Sequence, residues 1–418
     1  MDVLVIVALV TALALVFDFT NGFHDTANAM ATPIATGALK PKVAVTIAAL
    51  LNLVGAFLST AVAHTISGGL IREGDQGVQI TPTLILAGLI GAIVWNLVTW
   101  LRGLPSSSSH ALFGGLIGAA IVGAGFGVID PGVLISKIVV PAVLAPVTAG
   151  VISFLVTKIA YGITKKRQRD RFRVGQIFTS SLVSLAHGTN DAQKTMGVIT
   201  LVLIAAGMLP TGAAPPIWVI IGCALAIAAG TFSGGWRIIK TLGRDITDVE
   251  PAQGLSAEVA TTATILASSS LGFALSTTQV ASGSIIGTGL GRKGATVKWS
   301  TAGRIAIGWL ITLPAAGAVA AVAAIISLAG TVGVVIDVVL AVAAIAFIFL
   351  WSRRRTEPTP AFHQPEPGQF VAPKPRKRAQ QQKRPKSVNN KPDHRKPKKS
   401  SKKRRNAKTS GGRKGGRR

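Results

Sequence analysis

Eleven stretches of nearly uninterrupted apolar sequence dominate this chain and decide which solvent it folds in. In the first half they lie at about residues 3–19, 43–66, 83–101, 111–129 and 133–161. In the second half they lie at about 174–186, 196–208, 216–235, 257–275, 303–327 and 332–351. A helix needs about 20 apolar residues to cross a hydrocarbon core of about 30 Å. Most of these runs are long enough, and the short ones beside polar breaks read as half-spans. Hydrophobic residues fill 49% of the 418 positions and charged residues 14%, more apolar surface than one soluble core uses. The surplus faces lipid, and the expected fold class is an all-α polytopic membrane protein. The first run follows Asp2 rather than a basic segment, and no small-residue cleavage site follows it, so it reads as a retained span.

The formal net charge of +28 is that of a nucleic-acid binder, but its distribution argues otherwise. Residues 352–418 hold 24 Lys or Arg against three acids, so this tail carries +21 and the rest of the chain +7. The tail is rich in Pro, Gln, Lys, Arg and Gly and almost free of large apolar side chains, a composition expected to stay disordered. Its expected partners are anionic lipid or RNA. The single cysteine, Cys223, lies in an apolar run, which excludes an intrachain disulfide and speaks against a thiolate metal site.

Basic residues also set orientation, because cytoplasmic loops collect Lys and Arg. The connector 163–173, with Lys165, Lys166, Arg167, Arg169, Arg171 and Arg173, and the tail from Arg353 onward are expected in the cytoplasm. Lys40 and Lys42 mark a third such point, and Arg292, Lys293 and Lys298 a fourth. The stretches Gly74 to Thr81 and Pro210 to Pro216 have little or no excess positive charge and are placed outside, as is the N-terminus.

An internal repeat organises these spans. NGFHDTANAMA, residues 21–31, aligns without a gap onto HGTNDAQKTMG, residues 187–197, so that Asp25 falls on Asp191 at an offset of 166. SSSHALFGGLIG, residues 107–118, aligns onto STTQVASGSIIG, residues 276–287, at an offset of 169. The charge pattern starts the first copy outside and the second inside, so the repeats are inverted about an axis in the membrane plane. That arrangement builds a transport site at the repeat interface near mid-membrane. The expected domains are a first repeat over 1–162, the connector 163–173, a second repeat over 174–351 and the tail 352–418.

Two constellations carry the chemistry. Asp25 and Asp191, each placed just after an apolar run, pair with Asn28 and Asn190, a carboxylate and amide set suited to a cation or a transferable proton. Loop residues at the bilayer surface are the plainer alternative. The second constellation is hydroxyl-rich. Ser106, Ser107, Ser108 and Ser109 follow Pro105, and Ser276, Thr277 and Thr278 occupy the matching place in the second repeat. A hairpin tip of this kind offers hydroxyls, backbone N–H groups and a helix N-terminus to an oxyanion; a simple turn is the alternative. Lys194, three residues after Asp191, could pair with it, contact an anion or snorkel to the interface. His24, His110 and His187 adjoin these motifs as proton carriers or as hydrogen-bonded structural residues. No metal-ligand spacing emerges, and no cofactor is expected.

The motifs GFHDTANAMA from Gly22, PSSSSHALFGGLIG from Pro105, HGTNDAQKTMG from His187, GGWRIIKTLG from Gly234 and LSTTQVASGSIIGTG from Leu275 resemble, in order, those of inorganic phosphate transporters of the Pit type, in the PiT or PHO-4 superfamily. The resemblance covers about residues 1–350 and implies inverted repeats with helical hairpins and cation-coupled phosphate symport without covalent catalysis. It implies that Asp25, Asp191, Asn28 and Asn190 lie at ion and phosphate sites and that the hairpin hydroxyls of Ser107, Ser108, Ser109, Ser276, Thr277 and Thr278 contact phosphate; the first four are read as serving the coupling cation or proton, and Lys194 as a further phosphate contact. The local wording is similar to the proton-coupled bacterial branch, in which a metal hydrogen-phosphate complex can be the carried species. Asn52 stands where sodium-coupled relatives often carry an acid, and Gln279 where many relatives carry histidine. A multi-pass protein of the cell membrane, assembled as a homo-oligomer, is the corresponding expectation.

Overall fold

The computed structural model describes residues 2–69, 81–163 and 169–354. The expectations for the outer stretch around 74–80, for connector residues 164–168 and for the tail from 355 fall outside the described residues.

All regular structure among the described residues is helical. The first half runs α1 (Val3–Ala35), α2 (Pro41–Gly55), α3 (Ala61–Gly69), α4 (Pro82–Leu101), α5 (Ser108–Ala124), α6 (Pro131–Leu134) and α7 (Val140–Ile163). The second runs α8 (Arg169–Ala205), α9 (Ile217–Ser233), α10 (Trp236–Lys240), α11 (Pro251–Ser270), α12 (Thr277–Gly291), α13 (Trp299–Ser327) and α14 (Thr331–Arg354). Five of the helical segments are long and apolar enough to cross a membrane, and the pair formed by α9 and the helical stretch from Trp236 to Asp245, bent by 60°, makes a sixth if counted as one span. Leu144, Leu155, Leu310, Val339 and Phe347 on α7, α13 and α14 point outward and exposed, as lipid-facing side chains do. This is an all-α polytopic membrane protein.

Two features differ from the hydropathy reading. The runs 174–186 and 196–208 are not half-spans: α8 passes through both and through the polar motif between them, and it begins inside the expected connector. In the same way α1 continues through NGFHDTANAMA, so Asp25 and Asp191 lie within helices rather than after them. Asn, Asp, Thr and Gly are poor helix formers because their side chains compete for the local backbone. Here the motif's principal polar groups engage other helices, and packing overrides propensity. Conversely, the run 43–66 is broken between α2 and α3.

The helices pack reciprocally. α1 packs on α9 while α8 packs on α2; α5 on α13 while α12 on α7; α4 on α13 while α11 on α7. Exchanging the halves maps each contact onto its mate. Gly114 and Gly118 of α5 lie directly against the backbone of α13 at Leu313 and Gly317, and Gly283 and Gly287 of α12 lie against Pro146 and Gly150 of α7. A side chain at any of these positions would meet backbone carbonyls, which is how small residues allow close helix crossings in lipid. Both α5 and α12 are thereby anchored with their N-termini at the interface between the halves.

Candidate functional site

α1 and α8 cross antiparallel along their polar faces. Thr36 Oγ1 donates to Gln176 Oε1 at 2.6 Å, Asp25 Oδ2 stands 3.8 Å from His187 Nε2, and Asp18 faces the Thr195 hydroxyl. The α1 face repeats at helical spacing as Asp18, Asn21, Asp25, Asn28, Thr32 and Thr36, all buried. Midway along this seam the two motif aspartates meet. His187 Nε2 lies 2.6 Å from Asp191 Oδ2, so one imidazole bridges a carboxylate from each repeat.

A neighbouring amide orients that imidazole. Asn52 Nδ2 donates to Thr231 Oγ1 at 2.7 Å, which leaves Asn52 Oδ1 as the acceptor for His187 Nδ1 at 3.3 Å and aims Nε2 at the aspartates. Asn52 therefore acts on the site through His187. On the other side His24 Nδ1 is 3.0 Å from Asp25 Oδ1, and its Nε2 is 3.3 Å from both Thr99 Oγ1 and Ser106 Oγ.

The hairpin tips arrive from opposite sides. Ser107 and Ser276 are the N-caps of α5 and α12, accepting from His110 N at 3.1 Å and Gln279 N at 3.3 Å. The hydroxyls that follow reach the carboxylates. Thr278 Oγ1 donates to Asp25 Oδ1 at 2.9 Å, and Ser108 Oγ reaches Asp25 Oδ2 at 3.4 Å. Thr277 Oγ1 lies 2.9 Å from Asp191 Oδ2 and 3.4 Å from Asp25 Oδ2, within reach of both. Ser109 turns away and donates to Leu275 O at 3.2 Å. His110 and Gln279, equivalent positions of the two repeats, meet each other at 3.4 Å, so the axis relating the halves passes beside the site.

The remaining candidates are placed as follows. Lys194, fully buried, pairs with Asp191 Oδ1 and donates to Leu275 O at 3.0 Å; of the three roles open from sequence, the ion pair is the one formed. Asn28 Nδ2 donates to Thr278 Oγ1 at 3.1 Å and lies 3.3 Å from Thr277 Oγ1. Asn190 Nδ2 donates to Ser269 Oγ at 2.8 Å. The side-chain oxygens of both asparagines are buried without hydrogen-bond partners. Asp25, Asp191, Asn28, Lys194, Thr277, Thr278 and Ser108 thus converge, whereas Ser107, Ser276 and Ser109 support the tips. All of them are buried, so the cluster is enclosed.

Sequence spacing did not show the cation-sized cluster of Asp25, His187 and Asp191, whose ligand atoms lie within 4.8 Å of one another, because its members come from different repeats. Lys194 already places an ammonium on one of its carboxylates, at Asp191 Oδ1. Sequence reading also missed Glu258 and Asp18, single acids inside the runs 257–275 and 3–19. Glu258 Oε1 accepts from Thr32 at 2.7 Å and Gln176 at 3.0 Å, and Thr179 donates to its Oε2. An ionisable residue at membrane depth is the signal that would have found both; the average hydropathy of the run conceals it.

The chain is similar to known proteins over most of the described region. The family model described as "Phosphate transporter family" matches it twice, over residues 21–168 and 161–320. A Mycobacterium tuberculosis protein named "Probable low-affinity inorganic phosphate transporter" is 57% identical over 322 residues, 76% of each chain. A Bacillus subtilis protein of the same name is 44% identical over 328 residues, 77% of this chain and 98% of its own. A solved structure titled "The sodium-dependent phosphate transporter" superposes with a TM-score of 0.68 at 25% identity, covering 76% of this chain and 98% of that one.

Proposed function

The chain belongs to the phosphate transporter family, and on that basis we propose that it is a symporter that imports inorganic phosphate together with protons. Family membership makes it a multi-pass inorganic phosphate transporter and not an enzyme. The proposal adds the coupling ion, the direction and the residues.

One observation carries it: hydroxyl donors and helix N-termini from both repeats share a single enclosed centre with two carboxylates. The donors suit an oxyanion. An ionised carboxylate does not, since two like charges about 4 Å apart repel by about 4 kcal/mol even at an effective dielectric near 20. Phosphate binding is therefore favourable only when Asp25 and Asp191 are neutralised. The Lys194 ammonium already offsets Asp191, and protons complete the neutralisation through groups already in contact, namely His24, His187 and Asp25.

Lys194 supports protons over sodium. Its ammonium takes Asp191 Oδ1 and the Leu275 carbonyl, the kind of oxygen pair that a sodium ion would need. The partnerless oxygens of Asn28 and Asn190 support phosphate over sulfate. An acceptor serves an anion only if that anion carries its own O–H, as hydrogen phosphate does and sulfate at neutral pH does not. The same oxygens suit a divalent ion travelling with phosphate. We place the protein in the cell membrane, where the positive-inside rule puts its basic tail in the cytoplasm.

Radiolabelled phosphate uptake by purified protein in liposomes tests the proposal, with pH and sodium gradients imposed separately and sulfate as competitor. The expected result is uptake driven by the pH gradient in sodium-free buffer, lost in Asp25→Asn and Asp191→Asn and unaffected by sulfate. Uptake that follows a sodium gradient alone sinks the proton assignment, and sulfate competition sinks the specificity.

A further inference from the structure

The most exceptional buried group outside the central site is Asp18. Its side chain is 0% exposed, on the face of α1 that meets α8, and neither carboxylate oxygen has a hydrogen-bond partner. Three residues on, toward the centre, both side-chain polar atoms of Asn21 are also buried without partners. The Thr195 hydroxyl of α8 approaches Asp18 without closing a hydrogen bond and has no other partner.

Glu258 shows what a structural acid looks like in this protein: equally buried, on the same polar seam, and met by three donors. Asp18 has the burial without the donors. An ionised, unpaired carboxylate here would pay the full cost of desolvation, whereas a protonated one is tolerated. Its location couples it to the site. Asp18 lies seven residues, or about 10 Å of helix, from Asp25. The charged groups that act on it are Asp191, His187 and Lys194 of α8, with Cys223 of α9 also in range. α4, which packs on the same helix, carries no titratable residue.

We infer that Asp18, flanked by Asn21 and Thr195, is a further proton-binding site, separate from the Asp25–Asp191 centre, and that it carries one of the protons transported with phosphate. In the closed arrangement Asp18 holds its proton in a dry environment. When the α1–α8 seam opens to water the carboxyl is hydrated, its anion becomes affordable and the proton leaves. Removing or restoring that charge changes the field at Asp191, which ties proton release to the phosphate centre. This inference rests on the proton-coupled reading above.

The test is phosphate accumulation in proteoliposomes containing the full chain, in sodium-free buffer, for wild type, Asp18→Asn and Asp18→Glu. With a pH difference of about one unit, one proton fewer per phosphate lowers the limiting accumulation ratio about tenfold. The expected result is that loss in Asp18→Asn, with a restored pH response in Asp18→Glu. Thermal stabilisation by inorganic phosphate in both variants reports an intact centre. The inference is overturned if Asp18→Asn accumulates phosphate as wild type does, if it regains wild-type accumulation under a sodium gradient at fixed pH, or if both variants lose phosphate stabilisation, which would make Asp18 structural. A wild-type protein indifferent to the pH gradient overturns the proton-coupled reading itself, and that result is distinct from one in which wild type responds and Asp18→Asn responds equally.

Discussion

Replacing Lys194 by glutamine removes one half of a fully buried ion pair. Asp191 Oδ1 then faces no cation, and the Leu275 carbonyl loses a donor. Breaking a buried pair from one side costs about 3–5 kcal/mol, because the remaining charge stays desolvated. His187 at 2.6 Å and Thr277 at 2.9 Å still contact the other Asp191 oxygen, which places the cost near the lower end, about 3 kcal/mol. Replacing both partners removes the stranded charge, so the double variant Lys194→Gln, Asp191→Asn should recover most of that loss. Thermal unfolding of the detergent-solubilised proteins should therefore give a lower midpoint for Lys194→Gln than for the double variant, with a coupling of about 2 kcal/mol or more. Additive effects, or a Lys194→Gln midpoint equal to wild type, would refute the buried pair and with it the argument that an ammonium occupies the Asp191 side of the site.

Three further outcomes follow from the packing. Glu258→Ala leaves the donors of Thr32, Gln176 and Thr179 without their buried acceptor and should lower stability by about 1–3 kcal/mol, while Glu258→Gln retains an acceptor and should lose less in the same unfolding assay. Gly118→Leu and Gly287→Leu each drive a side chain into the backbone of the facing helix; overpacking by several carbons should cost well over the usual 1–3 kcal/mol, read as loss of monodisperse protein, and equal loss at both positions is expected from their equivalence. Deleting residues 356–418 should leave phosphate uptake intact, because the site residues all precede that point; uptake that collapses on deletion while Asp25→Asn and Asp191→Asn still transport would favour a scaffold acting through its basic tail.

Much of this architecture was legible in the chain because lipid imposes a length and a composition on each span. The runs that became α4, α7, α9, α13 and α14 stand nearly where hydropathy placed them. Hydropathy failed where polarity serves another helix: α8 was cut in two at HGTNDAQK because partners of His187, Asp191 and Lys194 come from α1, α2, the first residue of α12 and the tip before it. The repeat alignment brought Asp25 to Asp191 and the serine tip to Ser276–Thr278. It could not say that Thr277 would reach both carboxylates or that Ser109 would turn to a backbone carbonyl, because such contacts depend on how two helix N-termini meet. Asp18 and Glu258 were hidden for a different reason, since one acid barely changes the mean hydropathy of a long run, although its charge dominates the energetics of that position.

Joint entry of phosphate and protons through the Asp25–Asp191 centre can be followed in sodium-free proteoliposomes by recording lumenal pH and labelled phosphate at once, using a trapped pH-sensitive dye. Adding external phosphate should acidify the lumen in step with phosphate entry, and both signals should vanish in Asp25→Asn. Phosphate entry that leaves lumenal pH unchanged, or that begins only when sodium is supplied outside, would contradict the account.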